Sequence, residues 1–220
     1  MNPNFHEFEA ILITENRREA LSYILNLLDR ENLSIPQLYS ELLAPALNGM
    51  TSSGNEKLDI WKEHVRSSII RAIIENCYPY VLKERDRNNV APLGRKVAVI
   101  CPSEEYHELG ARMITDYFTL LGYDATFVGS NTPKEVFVAG LQTEKFDDVA
   151  LSITNPYHLV SARNTIALVR QFLPKVRILV GGYALTILGD EKELLKADAY
   201  VYSFGDLANL AGGQHHETIL

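Results

Sequence analysis

The chain has 220 residues and a net charge of -7, with 46% hydrophobic and 22% charged residues. That is the balance of an ordinary globular protein, long enough for one large domain or two small ones. Its densest basic stretch, residues 83–87, is interrupted by acids, so no direct nucleic-acid partner is expected, because phosphate binding needs a clustered positive face. Two cysteines, Cys77 and Cys101, imply no disulfide framework and suit a reducing cytosol. No basic-then-apolar leader opens the chain and no apolar run approaches ~18 residues, so neither a signal peptide nor a membrane span is expected, and the expected location is cytoplasmic.

Residues 4 to about 86 read as helix. Ile11, Leu12, Leu21, Ile24, Leu25, Leu27 and Leu28 recur at helical spacing. Ser34 is an N-cap with Pro36 in the first turn, Leu38, Leu42, Leu43 and Leu47 follow, and Gly49 ends that helix. The polar loop 50–57 (MTSSGNEK) leads into a long helix over about 58–84, whose apolar line is Trp61, Val65, Ile69, Ile73 and Cys77. The predicted first domain, residues 1–90, is a bundle of about four helices. The stretch 87–95 (RNNVAPLGR) has Asn, Pro and Gly and no helical period, which makes it the domain boundary.

From residue 91 the rhythm changes. Residues 96–101 (KVAVIC) form a short apolar run, as expected of a strand buried on both faces. Similar runs fall at 125–128, 149–153, 177–180 and 199–202, separated by helical patterns at 108–121, 133–144, 158–172, 184–195 and 205–211. Strands alternating with helices mean an α/β domain with a parallel sheet covered on both faces. The flavodoxin-like order 2-1-3-4-5 is preferred, because it makes strands 1, 3 and 4, whose ends carry the polar motifs, neighbours. The tail from Gly212 is expected to fray.

Strand 1 runs into Cys101-Pro-Ser-Glu-Glu-Tyr-His-Glu-Leu-Gly110. A metal-ligating His usually donates its second ring N–H to a carboxylate or carbonyl, and Glu105 stands two residues before His107. Strand 3 ends in Ser152-Ile153-Thr154, where alternation points both hydroxyls one way; the plainer reading is a cap or turn. Strand 4 ends in Gly181-Gly182, which permits either close approach of a ligand or simply a tight turn. Together these place a histidine, two hydroxyls and a side-chain-free floor where ligands of open α/β sheets bind. A receiver domain would need an acceptor Asp where Ser152 stands, and Glu104 and Glu105 would repel a flavin phosphate.

These motifs resemble the cobalamin-binding domain family, which shows Asp-x-His-x-x-Gly, then Ser-x-Leu or Ser-x-Thr, then Gly-Gly at the ends of strands 1, 3 and 4. The matching residues are Glu105, His107 and Gly110; Ser152 and Thr154; Gly181 and Gly182. The resemblance implies a cobalamin (adenosyl-, methyl- or hydroxocobalamin) held with His107 as lower cobalt ligand, oriented by Glu105. It implies that the displaced nucleotide tail passes Gly110, Ser152, Thr154, Gly181 and Gly182. It also implies that residues 1–90 cap a cobalamin-binding domain over 91–220. Glu105, where carriers mostly have Asp, together with Tyr106, Glu108 and Leu109, resembles the light-sensing regulators. In that branch a Glu-His pair, here Glu63-His64 with Trp61 on the same helix face, lies over the upper corrin face. His64 is then a possible upper ligand or, alternatively, an interface histidine satisfied by a hydrogen bond. The branch's Trp ten residues before the Glu is Ser53 here, and no DNA-binding helix-turn-helix precedes the bundle in this sequence.

The implied function is a non-catalytic corrinoid sensor or transcription regulator, with a photoreceptor role among the readings. It would act through a homo-oligomer or a separate regulator. The alternatives are a corrinoid methyl carrier for a partner methyltransferase, and a domain repurposed for another tetrapyrrole or for no ligand. Histidines 6, 215 and 216 are read as solvated, while His158, Tyr157 and Tyr183 are placed near the groove mouth.

Overall fold

The computed structural model describes residues 2–50 and 52–212. Of the tail expected to fray, Gly212 closes a helix, and His215 and His216 lie outside the described residues. The chain divides into two units, Met1–Asn88 and Asn89–Leu220. No helix among the described residues is long and apolar enough to cross a membrane.

The first unit is helical: α1 (Pro3–Ile13), α2 (Arg17–Asp29), α3 (Ile35–Gln37), a wide π turn (Leu38–Leu43), α4 (Ala44–Asn48) and α5 (Glu56–Arg87). Side chains of Asn2, Asn16 and Asn55 accept the first backbone N–H groups of α1, α2 and α5. Ser34 and Gln37 form a reciprocal capping box on α3. Residues 35–48 are one continuous helical stretch, so the unit holds the four long helical segments expected. The π turn has a local cause. Pro45 has no N–H for the carbonyl four residues back and its ring crowds that carbonyl, and a widened turn relieves both. Phe8, Ile24, Leu38, Leu42, Ile70 and Ile73 are fully buried, each worth roughly 1.5–3 kcal/mol of apolar transfer.

Helix α5 begins at Glu56, earlier than read from sequence, because Asn55 caps it, and it runs on through Pro79 to Arg87. The expected apolar line is only partly right. Ile69, Ile73 and Cys77 are buried, but Trp61 is 61% exposed. Burial on α5 starts about two turns beyond Trp61, at Ile69.

The second unit has β1 (Lys96–Pro102), β2 (Asp124–Thr132), β3 (Asp148–Ser152), β4 (Arg177–Gly181) and β5 (Ala199–Val201) in one sheet of order β2-β1-β3-β4-β5. All pairings are parallel. The helices are α6 (Leu109–Leu120), α7 (Lys134–Glu144), α8 (Leu159–Phe172), α9 (Leu185–Leu188) and α10 (Phe204–Gly212). Fold class and strand order are those read from the sequence. Two elements differ. β2 extends well past residue 128, and as an edge strand it alternates exposed and half-buried residues instead of being buried on both faces. The helix expected over 184–195 stops at Leu188, where Gly189 takes φ +51, and continues as a 3-10 helix, Gly189–Leu195.

Strand alternation sorts the core. Ala98, Ile100, Val149, Leu151, Ile178 and Val180 pack with residues of α7 and α8. Val99, Ala150, Leu179 and Val201 share a slot with Ile114 and Phe118 of α6 and Leu207 of α10. At the amino end of the sheet the fully buried Asp148 carboxylate accepts a bidentate fork from Arg95, at 2.9 and 3.0 Å, and a further bond from Arg177. This buried charge is paired, which such burial requires. The carboxyl end, where the loops after β1, β3 and β4 meet, carries the other buried polar cluster.

Candidate functional site

The loop from Ser103 to Glu108 leaves β1 in a conformation held from both sides. Glu104 adopts φ +73 and gives its N–H to Asn131 Oδ1 at 2.8 Å; Asn131 returns its own N–H to the Glu105 carbonyl at 2.8 Å. Ser161 on α8 donates to the Ser103 carbonyl at 2.8 Å. The loop is therefore clamped before α6 begins at Leu109.

That clamp buries Glu105 completely. One carboxylate oxygen accepts the His107 backbone N–H at 3.0 Å and lies 2.6 Å from His107 Nδ1; the other accepts the backbone N–H groups of Thr154 and Asn155, each at 2.9 Å. Burial alone raises the carboxyl pKa. The hydrogen bonds from the His107 side chain and from the Asn155, His107 and Thr154 amides overcome it and hold the pKa down to about 2. An ionised carboxylate accepts only, so His107 Nδ1 carries the proton and the basic lone pair of a neutral ring sits on Nε2. The imidazole is 54% exposed. A buried carboxylate that fixes the tautomer of an exposed imidazole is an arrangement that metal-ligating histidines also use.

His158 is the residue that sequence reasoning underweighted. Its Nδ1 is 3.1 Å from the second Glu105 oxygen, without hydrogen-bond alignment, and that nitrogen is buried with no hydrogen-bond partner. Glu105 thus faces two imidazoles. Asn155, whose side chain caps the turn at Pro156–His158, and Asn131 were also missed. The available signals were Asn-Pro after strand 3 and Asn-Thr-Pro after strand 2, both turn formers.

The other expected residues separate into groups. Tyr106 is exposed; Glu108 is mostly buried and paired with Arg112 at 3.0 Å; Leu109 is buried at the start of α6. Ser152 pairs in register with Gly181 at the carboxyl end of the sheet. A side chain added at Gly110 would meet only Ser152 Oγ, at 3.8 Å. Gly110, Ser152 and Gly181 therefore converge. Thr154 lies past the end of β3, so alternation does not govern its hydroxyl; its recorded contribution is the backbone N–H to Glu105. Gly182, at φ +107, is a turn glycine whose added Cβ would strike Ile153 O at 2.3 Å. Trp61, Glu63 and His64 lie on the exposed start of α5, in the other unit. Ser53, in the preceding loop, donates its N–H and Oγ to Asp59.

Below Ser152 and Gly181, the α6 and α10 face of the sheet has a narrow slot with a free volume of about 20 Å³. Its exposed lining is apolar. The empty fold does not need glycine at 110, so Gly110→Ala is expected to keep or raise stability by about 0.5–1 kcal/mol from helix propensity. The same methyl group would narrow the approach to Ser152. Thermal unfolding alongside ligand titration separates the two effects.

Residues 95–211 match a family described as the B12 binding domain. Over 96 residues the chain is 29% identical to the HTH-type transcriptional repressor CarA of Myxococcus xanthus, covering 44% of this chain and 31% of that protein. The matched region is thus under a third of that relative's length. Among solved structures, the Methanosarcina barkeri monomethylamine corrinoid protein shares the fold with a TM-score of 0.74 at 12% identity, over 94% of this chain and 96% of that one.

Proposed function

The chain belongs to the B12-binding domain family, and we propose that it holds its cobalamin base-off, with His107 as lower cobalt ligand, as a sensor or regulator. The observation that carries this reading is the 2.6 Å contact between the buried Glu105 carboxylate and His107 Nδ1 on a half-exposed ring. It directs the basic Nε2 lone pair to the ligating position, and imidazole is a suitable donor to cobalt. Among the described residues no three His, Cys, Asp or Glu side chains gather to hold a metal ion. In this reading the displaced nucleotide tail passes Gly110, Ser152 and Gly181, and Gly110 leaves room beside Ser152. A bound corrinoid supplies a cobalt atom whose axial ligands exchange. The chain's own residues orient the lower ligand, fix its tautomer and bury the tail.

The regulator reading is supported by the 29% identity to a transcriptional repressor and by Glu at position 105. In it, output passes through a homo-oligomer or a separate regulator. The test is to load the protein with adenosyl- or methylcobalamin and record its absorbance and hydrodynamic size in the dark and after illumination. A light-dependent change in both is expected for a photoreceptor. If neither moves with light, the photoreceptor form is wrong.

A second reading, a corrinoid methyl carrier for a partner methyltransferase, is favoured by Ser53. It stands where the sensor branch has a shielding Trp, and it is tied to Asp59 as part of the turn before α5. That reading expects the corrinoid-loaded protein to accept a methyl group from a methyltransferase, independently of light.

A further inference from the structure

Strand β2 uses more chain than its neighbour. Lys96 of β1 faces Asp124 and Val99 faces Phe127, but Ile100 faces Gly129 and Pro102 faces Thr132, so β2 takes in two extra residues over this span. Gly129, at φ +144, stands at the first shift, and Thr132 Oγ1 donates to its carbonyl at 3.2 Å. Bulges beside functional sites re-aim side chains. These shifts bring Asn131, an exposed residue of an edge strand at φ +47, to the loop that carries His107. Its Oδ1 accepts the Glu104 N–H at 2.8 Å and its own N–H reaches the Glu105 carbonyl at 2.8 Å. Next to it, the Thr132 carbonyl accepts Ser103 Oγ at 3.2 Å.

Glu104 needs that hold. At φ +73 a glutamate is disfavoured by roughly 5- to 150-fold, and such a conformation persists only where neighbours over-determine it. Glu105 and His107 follow directly, so the backbone at 104 sets where the carboxylate and the imidazole stand. The Thr154 and Asn155 amides hold the Glu105 side chain from the β3 end. On the β2 side, the bond to the Glu104 amide comes from one side chain. Released, Glu104 returns to an ordinary φ and the residues up to His107 turn with it.

We infer that Asn131 is a positioning residue for the lower cobalt ligand, setting the His107 loop in its ligating conformation before any corrinoid arrives. The inference rests on the corrinoid reading above and adds a residue outside its motifs. Each residue that must instead be ordered during binding costs about 5- to 30-fold in affinity. Position 131 makes two demands. Tolerance of positive φ is met by Gly, Asn and Asp; an acceptor on a short side chain is met by Asn and Asp. Asn131→Gly therefore removes only the acceptor, and Asn131→Asp keeps both properties. A role limited to ending β2 before Pro133 would need only the first.

The test compares the full chain as wild type, Asn131→Gly and Asn131→Asp. Amide hydrogen exchange is followed without ligand, hydroxocobalamin affinity by equilibrium dialysis with absorbance, and stability by urea unfolding. Asn131→Gly is expected to bind at least about tenfold more weakly, as loss of a group supporting a metal ligand does. Its Glu104 and His107 amides should exchange faster, while its unfolding midpoint stays near that of wild type because residue 131 is exposed on an edge. Asn131→Asp should recover affinity to within about threefold, since the acceptor is restored. Unchanged affinity or unchanged exchange in Asn131→Gly overturns the inference. So does Asn131→Asp failing as Asn131→Gly does, or an affinity loss matched by an equal loss of unfolding stability, which would mark a purely structural residue. In each of these cases a displaced-base, His107-dependent spectrum of wild type leaves the parent reading standing. If wild type binds no corrinoid, or binds it base-on, the parent reading falls and this inference with it.

Discussion

Glu105→Ala is expected to lose about 3–5 kcal/mol of unfolding free energy, the cost of breaking a buried charged network from one side. The carboxylate is fully buried and accepts three backbone N–H groups and the His107 ring. Truncation strands all of them and unties the loop after β3 from the loop after β1. Glu105→Gln keeps the size but turns one acceptor into a donor facing donors, so it should lose roughly half as much. Corrinoid affinity should fall about 10- to 100-fold in both, the usual consequence of losing the group that orients a metal ligand. Urea unfolding at neutral pH, with cobalamin titration, measures the two losses separately.

The same carboxylate sets a pH signature. Its folded pKa of about 2 lies below the ordinary 4.5, so its contribution is fully present above pH 4.5 and disappears as pH falls towards 2. The size of that contribution is on the order of 3 kcal/mol. Wild-type protein should therefore lose stability more steeply than Glu105→Gln between pH 4.5 and pH 2. Parallel slopes for the two would mean that Glu105 is not held ionised by its partners.

Gly182→Ala is expected to destabilise by roughly 2–4 kcal/mol, with no ligand present. Gly182 has φ +107, and an added Cβ would sit 2.3 Å from the Ile153 carbonyl oxygen and 2.7 Å from its nitrogen. Those are backbone atoms that cannot swing aside. Gly110 is the counterpart, since its added Cβ meets only a serine hydroxyl at 3.8 Å. One glycine thus serves the fold and the other leaves room beside it, although both looked alike in the sequence. Denaturant midpoints of the two variants without ligand should differ in this order. A stable Gly182→Ala would mean that the turn between β4 and α9 can rearrange.

Much of the fold was readable because its signals are local. Runs such as KVAVIC announce buried parallel strands, and the placing of polar motifs after strands 1, 3 and 4 was enough to choose the strand order. The Glu105–His107 pair was readable because its partners are two residues apart. What escaped was long-range. Thr154 and Asn155 reach Glu105 from 49 and 50 positions away, and His158 and Asn131 arrive only once β2, β1 and β3 lie side by side. Edge position, which no local pattern reports, explains the extra length of β2. The exposure of Trp61 was misread because helical spacing shows which residues share a face, not where along a helix burial begins.

The most direct measurement is the absorbance of His107→Ala beside wild type, each incubated with hydroxocobalamin and freed of unbound ligand. The variant should fold normally, since the ring is 54% exposed. Wild type should show cobalamin with its own base displaced and an imidazole in its place, and the variant should lose that signature. Identical spectra and affinities in the two proteins would contradict the assignment of His107 as the lower ligand.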